Sequence, residues 1–513
     1  MSEFLTTHKV YLTPISPIHI GCGEDFEPTN YVIKENNIYC FDASKLGLSE
    51  SQRNQLMDIC RNITDESIQQ IQSFFAKEDV IELAINNACI KIPVSAKISS
   101  EWKNKLGKVV QRENNNKQVF NALLIERHAY LPYCNQSYIP ASSVKGSVIT
   151  ALLDSENQSD KTIFSVPVKQ RSESREGYAK KLKALNDDLV HQYIGDFNSK
   201  NNEKITSQRI KFSDFVPTDK NSSLTKIIYA VNVKKTLGKD RNAFKGISVR
   251  RECISSMQFR SYSASLTLLN ENNKVLLKDE HIIKALNAYN LPILEKELQI
   301  LIENDLINTR NYIENVKTIL QNEKVALIRL GRSGSETKMY SDHNLRALSV
   351  NGEISKESHT LWVASDSTEK SETIQPFGWA LLEFSNEQEN NALLKKWCLN
   401  PKNSLHNYLK ELEIEKEIQE KQNALNSLSE NHRKVIELEN KFNASNEKQI
   451  DSSSILLKEV KLLIENEAVN WSKEDKQFIA EHITKDLILK RIELKKKNAD
   501  KDLNKLLRKL MEE

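Results

Sequence analysis

The sequence predicts an α+β chain of 513 residues that ends in a long all-α extension. Three observations carry this reading. Short alternating apolar runs bounded by turn residues recur up to about residue 384, as half-buried strands require. Between them lie stretches with apolar residues every three or four positions, the helical spacing. From residue 402 onward there is neither glycine nor proline, and steps such as Leu405, Leu409, Leu412 and Phe478, His482, Leu489, Ile492 fit several helices.

Residues 9–20 alternate through Val10, Leu12, Ile15, Ile18 and Ile20 and pass two prolines, the pattern of an irregular or edge strand ending at Gly21. Residues 31–33 and 38–41 flank Lys34-Glu35-Asn36-Asn37 and read as a hairpin. Leu56, Ile59, Ile63, Ile68, Ile71 and Phe75 place helix over 50–88, and strands return at 90–94 and 119–125. After Pro140, Ser142 and Ser143 open a helix carrying Val148, Ile149, Leu152 and Leu153. Residues 155–205 are polar and charged, a helical or mobile insertion. Strands follow at 210–212, 227–233, 247–254 and 257–269, then helix over 279–322 broken near Pro292, then strands at 325–330 and 379–384. In the extension, Ser472-x-x-Asp475 marks a helix start. The expected organisation is one unit over 1–154, the insertion 155–205, a second unit over 206–400 and the charged helical extension 401–513.

Hydrophobic residues are 39% and charged residues 28%, which excludes a globally disordered chain. The net charge of +3 excludes nucleic-acid binding spread over the whole surface and leaves a one-sided patch open. Residues 402–513 hold 22 Lys+Arg and 22 Asp+Glu, a solvated helical bundle or a partner-binding arm, with a locally basic stretch from Lys490 to Lys509. Seven scattered cysteines without a C-x-x-C spacing argue against a zinc ribbon or redox motif and fit a reducing compartment. No signal-like N-terminus and no run of 18 apolar residues occur, so a soluble, cytoplasmic chain is expected, with no cofactor and no metal.

Glycine is the scarce residue, 13 in 513. Four of the 13 fall in Gly21-Cys22-Gly23 and Gly331-Arg332-Ser333-Gly334, each after an apolar run. Each reads either as a strand-ending turn or as a backbone cradle for phosphate, the second with Arg329, Arg332 and Lys338 nearby. Tyr138-Ile139-Pro140-Ala141-Ser142-Ser143-Val144-Lys145-Gly146-Ser147 reads as a capped helix start, or as an anion site with Lys145 adding charge. A second basic stretch runs from Lys234 and Lys235 through Lys239, Arg241 and Lys245 to Arg250 and Arg251, with Phe244, Phe259 and Tyr340 as stacking candidates near the basic stretches.

Residues 18–30 (IHIGCGEDFEPTN), 31–42 and 138–153 together resemble the RAMP superfamily of CRISPR-associated RNA-binding proteins. They look most like its type III-A (Csm) fifth-subunit family, the resemblance running over residues 5–385. It implies tandem ferredoxin-like (RRM-type) domains with a glycine-rich loop that touches RNA. It also implies a non-catalytic RNA-binding subunit that caps the crRNA 3′ end and supports crRNA maturation in antiviral defence. The partners implied are crRNA, the backbone RAMP subunits of the Csm complex and a host nuclease, with no membrane and no small-molecule substrate. The motifs and basic stretches single out His19, Gly21, Gly23, Ser142, Ser143, Lys145, Arg250, Arg329, Gly331, Arg332, Ser333, Gly334 and Lys338 for RNA contact. Ala141 departs from the family's usual glycine, and the late loop is short. Related backbone subunits cleave with an aspartate after H-I-G; here Thr29 or Asn30 stands at that place. The alternative is a metal-independent crRNA-processing endoribonuclease with His19 as the base for a 2′-hydroxyl.

Overall fold

The computed structural model describes residues 5–61, 67–107, 109–112, 118–120, 123–160, 170, 172–174, 176–178, 180, 181, 184, 207–219, 224–236, 244, 247–269, 277–307, 311–331, 348–350, 353–355, 360–384, 391–445, 448–495 and 498–510. Of these, 109–112, 118–120, 156–160, 348–350 and 353–355 are described in backbone alone. Most of the expected 155–205 insertion lies outside the described residues.

Strand β1 (Leu5–Pro14) is central in the larger sheet, not at an edge. It pairs antiparallel on both sides, Leu12 lying opposite both Tyr262 and Leu382. The hairpin β3 (Tyr31–Lys34) and β4 (Asn37–Cys40) follows β2 (Gly21–Phe26). Its turn residues Glu35 and Asn36 have φ 50° and 56°, the left-handed pair that a two-residue hairpin turn requires. Helices α1 (Glu50–Arg61), α2 (Ser67–Phe75) and α3 (Glu78–Asn86) precede β5 (Ile90–Pro93), which pairs with β4, and α4 (Ala96–Lys105). The strand expected at 119–125 is two pieces, Gln118–Phe120 and β6 (Ile125–His128).

Then come α5 (Ala141–Asp160), β7 (Ile210–Phe212), β8 (Thr225–Lys234), β9 (Ser248–Ile254) and β10 (Tyr262–Leu269). The strand expected over 257–269 starts only at Tyr262, because Met257 and Arg260 (φ 60° and 46°) make a turn. That turn is tied to the end of β1 by Met257 N–H donating to Pro14 O (2.7 Å) and Arg260 N–H to Thr13 Oγ1 (2.8 Å).

Helix α6 (Asp279–Glu303) runs unbroken through Pro292, where a break was expected, and α7 (Asn311–Ile319) follows. A mid-helix proline costs about 3 kcal/mol. Each leucine buried offsets roughly 2 kcal/mol of that. Leu286, Leu294, Leu298 and Leu301 are all buried, so packing wins. Strands β11 (Val325–Arg329), β12 (Thr360–Ser365) and β13 (Trp379–Phe384) and helix α8 (Ala392–Leu399) complete the region.

The larger sheet has the order β7–β10–β1–β13–β11, and a second has the order β12–β8–β9–β6–β2. Both take strands from either side of the 155–205 segment. The halves expected in series, 1–154 and 206–400, are therefore interleaved, and residues 1–405 form one compact unit. One core joins the larger sheet to α5 and α6 through Leu12, Val144, Val148, Leu286 and Leu382. A second unites the second sheet, β3–β5 and α2–α4 through Tyr31, Phe74, Trp102, Ile227 and Leu361. The outer edge of β11 is covered by side chains of α6. Asn287 donates to Val325 O (3.0 Å) and accepts from Leu327 N–H (2.7 Å), and Asn290 donates to Leu327 O (3.0 Å).

Residues 406–513 form a second compact unit. Its helices are α9 (Leu405–Ser427), α10 (Glu430–Ala444), α11 (Ile455–Leu462), α12 (Lys473–His482), α13 (Lys485–Arg491) and α14 (Ala499–Arg508). A two-residue parallel pairing of Gln449–Ile450 with Ile492–Glu493 interrupts the expected all-α character. Val435, Phe442, Val460, Ile479, Ile488 and Leu506 share its own core. With no glycine or proline to punctuate the chain, hydroxyls start the helices: Ser429, Ser454, Ser472 and Thr484 each accept the N–H three residues on. No helix among the described residues is long and apolar enough to cross a membrane.

Candidate nucleic-acid interface

Beyond Pro14 the chain is held from several directions. Ile15 and Ser16 donate to Trp379 O (3.0 and 3.1 Å), and Gly378 N–H donates to Pro17 O (2.8 Å). Ile18 and Ile254 exchange both backbone bonds (3.1 and 2.8 Å), and Ala129 N–H donates to Ile20 O (2.8 Å). These anchors place His19 inside, 2% exposed. Its Nδ1–H donates to Glu252 O (2.8 Å), while Nε2 stands 3.6 Å from Glu126 Oε2. That same oxygen accepts from Arg251 Nε–H (2.5 Å). A buried imidazole committed in this way does not reach a 2′-hydroxyl, so the base role considered for His19 has no geometry behind it.

The two N-terminal motifs meet through a residue that the sequence did not single out. His128 is fully buried, 6.1 Å from His19 between ring centroids. Ile20 N–H donates to its Nδ1 (3.0 Å), and its Nε2–H donates to Tyr138 O (3.1 Å). The ring thus ties the Ile18–Gly21 stretch to the Tyr138–Pro140 stretch and must be neutral to do so. Burial, then the neighbouring His19, pushes its pKa down to about 3.

Gly331 comes to the same place. Its φ is +88°, and a Cβ there would stand 2.2 Å from the carbonyl oxygen of His19. Only glycine allows both the left-handed conformation and this approach. His19, just before one glycine pair, and Gly331, at the start of the other, are 312 positions apart in sequence and are therefore in backbone contact. Arg332, Ser333, Gly334 and Lys338, with Tyr340, lie outside the described residues.

Two expected contacts, Arg329 and Arg250, are corrected. Arg329 is wholly buried, its guanidinium paired with Glu297 (Nη1–Oε2 2.9 Å, Nη2–Oε1 3.1 Å) and 4.8 Å from the Trp379 ring centre, while Trp379 Nε1–H donates to Glu297 (3.0 Å). It holds the core and does not face solvent. Arg250 is engaged by Glu101 (2.7 and 2.9 Å), which also accepts from Tyr229 OH (2.6 Å). Burial pushes the Glu101 carboxyl up, but hydrogen bonds from Arg250, Lys105 and Tyr229 outweigh it and hold the pKa at about 2. Ser142 and Ser143 lie within the first turn of α5 and do not cap it. Asp214 does so from a distant segment, accepting Ala141 N–H (2.7 Å), because Pro140 at the cap position has no side-chain acceptor. Lys145 is half-buried, its pKa lowered by burial and by nearby Lys211. Among the described residues no group of three or more His, Cys, Asp or Glu could hold a metal ion.

Gly21 and Gly23 stand on the surface. Strand β2 is the edge of the second sheet, and its pairing with β6 slips between Gly21↔His128 and Asp25↔Glu126, so Cys22, Gly23 and Glu24 form a bulge. Gly23 has φ +86° and nothing within 4 Å of where a Cβ would be. The bulge is braced by Arg127, whose guanidinium lies 3.3 Å from the Tyr130 ring centre, 5.0 Å from that of Phe26 and 3.4 Å from Glu24. Tyr130 OH also donates to Glu24 (2.9 Å). Arg127 donates to Asn135 (3.1 Å) as well, fixing the turn between Tyr130–Leu131 and Gln136–Ser137 that carries Tyr133. Tyr133 is 83% exposed. Arg127, Tyr130 and Tyr133 were missed because they sit outside both motifs; the Pro132-Tyr133-Cys134-Asn135 turn was the available signal. With Glu24, Asp25 and Glu27 on the same strand and just beyond it, this surface suits the flat face of a base better than a phosphate.

No family model matches the chain, and no curated protein matches it. Several solved structures are similar, two of them as follows. The crystal structure of Csm5 from T. onnurineus is 16% identical, covering 73% of this chain and 99% of that one at a TM-score of 0.42. The cryo-EM structure of a Csm–crRNA–target RNA ternary complex of a type III-A CRISPR–Cas system contains a chain 16% identical, covering 74% of this chain and 100% of that one at a TM-score of 0.44. At this level the likenesses assign neither family nor role.

Proposed function

We propose that the chain is a non-catalytic RNA-binding subunit of a type III-A (Csm) CRISPR effector complex, capping the crRNA 3′ end and supporting crRNA maturation in the cytoplasm. The observation that carries this reading is the convergence of the two glycine segments, with Gly331 against His19 and the Gly21–Gly23 bulge beside it. The motifs that resemble the RAMP superfamily thereby belong to one locality, joined by His128. The order β7–β10–β1–β13, all antiparallel, with α5 after β1 and α6 after β10, supports a ferredoxin-like unit with β11 added at its edge. The second sheet has a parallel β9–β6 pair and supports no such unit, so a single RAMP-type unit, built on the larger sheet, is proposed rather than two in tandem. Its partners are crRNA, the backbone Csm subunits and a host nuclease that trims the RNA.

The role is tested by co-expressing the Csm subunits and a CRISPR array with and without this chain. Omission should leave crRNA incompletely trimmed; fully mature crRNA in its absence would sink the maturation role. The interface is tested with Tyr133→Ala, which should weaken crRNA binding about tenfold, since a base stacked on an aromatic is worth about 1–3 kcal/mol. Tyr133→Phe should retain the affinity.

A further inference from the structure

The extension 402–513 is neutral by count but not uniform over its surface. Helix α14 buries Leu503 and Leu506, and Leu507 packs against the same core. Lys501, Lys505 and Arg508, at i, i+4 and i+7, fall on the opposite side, and all three are exposed. Some lysines of the unit have carboxylate partners: Lys434 with Glu467, Lys441 with Glu459, Lys485 with Asp500, Lys509 with Glu465. Among the described residues none of the three α14 cations has one. Of the acids on α14, Asp500 is engaged by Lys485 and Asn504, and Asp502 flanks the row. Lys461 adds further positive charge beside the Lys509–Glu465 pair.

We propose that the Lys501–Lys505–Arg508 row binds the phosphate backbone of single-stranded RNA. Among the described residues, α14 itself carries no exposed large apolar or aromatic side chain, which a protein interface would use as its anchor. A cationic row with nothing else to offer fits a polyanion read without sequence preference. This contact is separate from the glycine bulge and goes beyond the reading built on residues 18–331.

The test uses the full chain, a labelled oligouridine and fluorescence anisotropy over a range of salt. Replacing Lys501, Lys505 and Arg508 together by Gln should lower the slope of log K against log salt by about 2, since each single-strand phosphate contact contributes about 0.7. A control with Lys434→Gln, Lys441→Gln and Lys485→Gln removes the same charge from paired positions and should leave the slope close to that of the parent. An unchanged slope in the first variant, with its melting curve intact, overturns the proposal. So does an equal loss in the control, which would make net charge the cause. So does an unchanged slope accompanied by loss of assembly with the Csm subunits, which would assign the row to protein contact. Loss of crRNA maturation with Tyr133→Ala reports on the other reading and leaves this slope untouched.

Discussion

Gly331 and Gly23 share a residue type and a backbone conformation, yet they do opposite things. Gly331 follows a wall of buried groups, Arg329 with Glu297 and Trp379, by two residues and has the His19 carbonyl against it. Gly23 is on a bulge in solvent with open space where a side chain would go. Positive φ explains both glycines, but only the first also needs the missing Cβ. A glycine pair in a sequence therefore marks a special backbone; whether that backbone faces a ligand or another strand is decided by what packs on it.

The comparison can be strained from its buried side first. Glu297→Ala leaves the Arg329 guanidinium buried without its carboxylate and should destabilise residues 1–405 by about 3–5 kcal/mol. A denaturant midpoint close to the parent's would mean that the wall is softer than drawn. Gly331→Ala forces a Cβ into the His19 carbonyl and an L-residue into the left-handed region. It should cost roughly 3 kcal/mol. A loss under 1 kcal/mol (~) would remove the distinction between the two glycines.

Between the wall and the bulge stands His128. Its folded pKa of about 3 lies below the 6.5 of the exposed ring, so the unfolded chain takes up a proton that the folded chain refuses. Stability is full above 6.5 and falls as the pH drops through that value toward 3. By about pH 5 the loss should be about 2 kcal/mol. Glu252, raised by burial, acts in the opposite sense, so comparing the parent with His128→Gln isolates the histidine. A pH profile identical in the two proteins would argue against the neutral, buried ring. The smallest effect belongs to the open side. Gly23→Ala should cost about 1 kcal/mol, from the left-handed conformation alone. A loss as large as that of Gly331→Ala would show that the bulge is packed rather than open.

Much of the fold was legible wherever a signal acts within one turn. Lys34-Glu35-Asn36-Asn37 gave a hairpin, and Ser472-x-x-Asp475 gave an N-cap with Ser472 accepting Asp475 N–H (3.1 Å). The site was legible in part. His19, Gly21, Gly23 and Gly331 do come together, but Arg329 and Arg250 were chosen for their charge, and charge on a strand says nothing about which face is covered. Arg329 is neutralised by Glu297, 32 residues earlier, and Arg250 by Glu101, 149 residues earlier. Pro292 misled for the same reason: its local cost is real, and the burial that outweighs it comes from a sheet assembled elsewhere in the chain.

By itself the sequence determined the helices and hairpin, the hydroxyl caps of a glycine-free extension, and which few positions needed an unusual backbone. These depend on neighbours within about four residues, where side-chain periodicity and capping act. Only the tertiary structure decided that β1 is central, that two sheets share strands from both halves, and that one glycine pair faces solvent while the other begins against His19. Strand partners lie some 250 to 370 residues apart here, Leu5 opposite Leu269 and Leu12 opposite Leu382. No local period encodes such pairings, because they are selected by which assembly buries the apolar faces and satisfies the backbone at once.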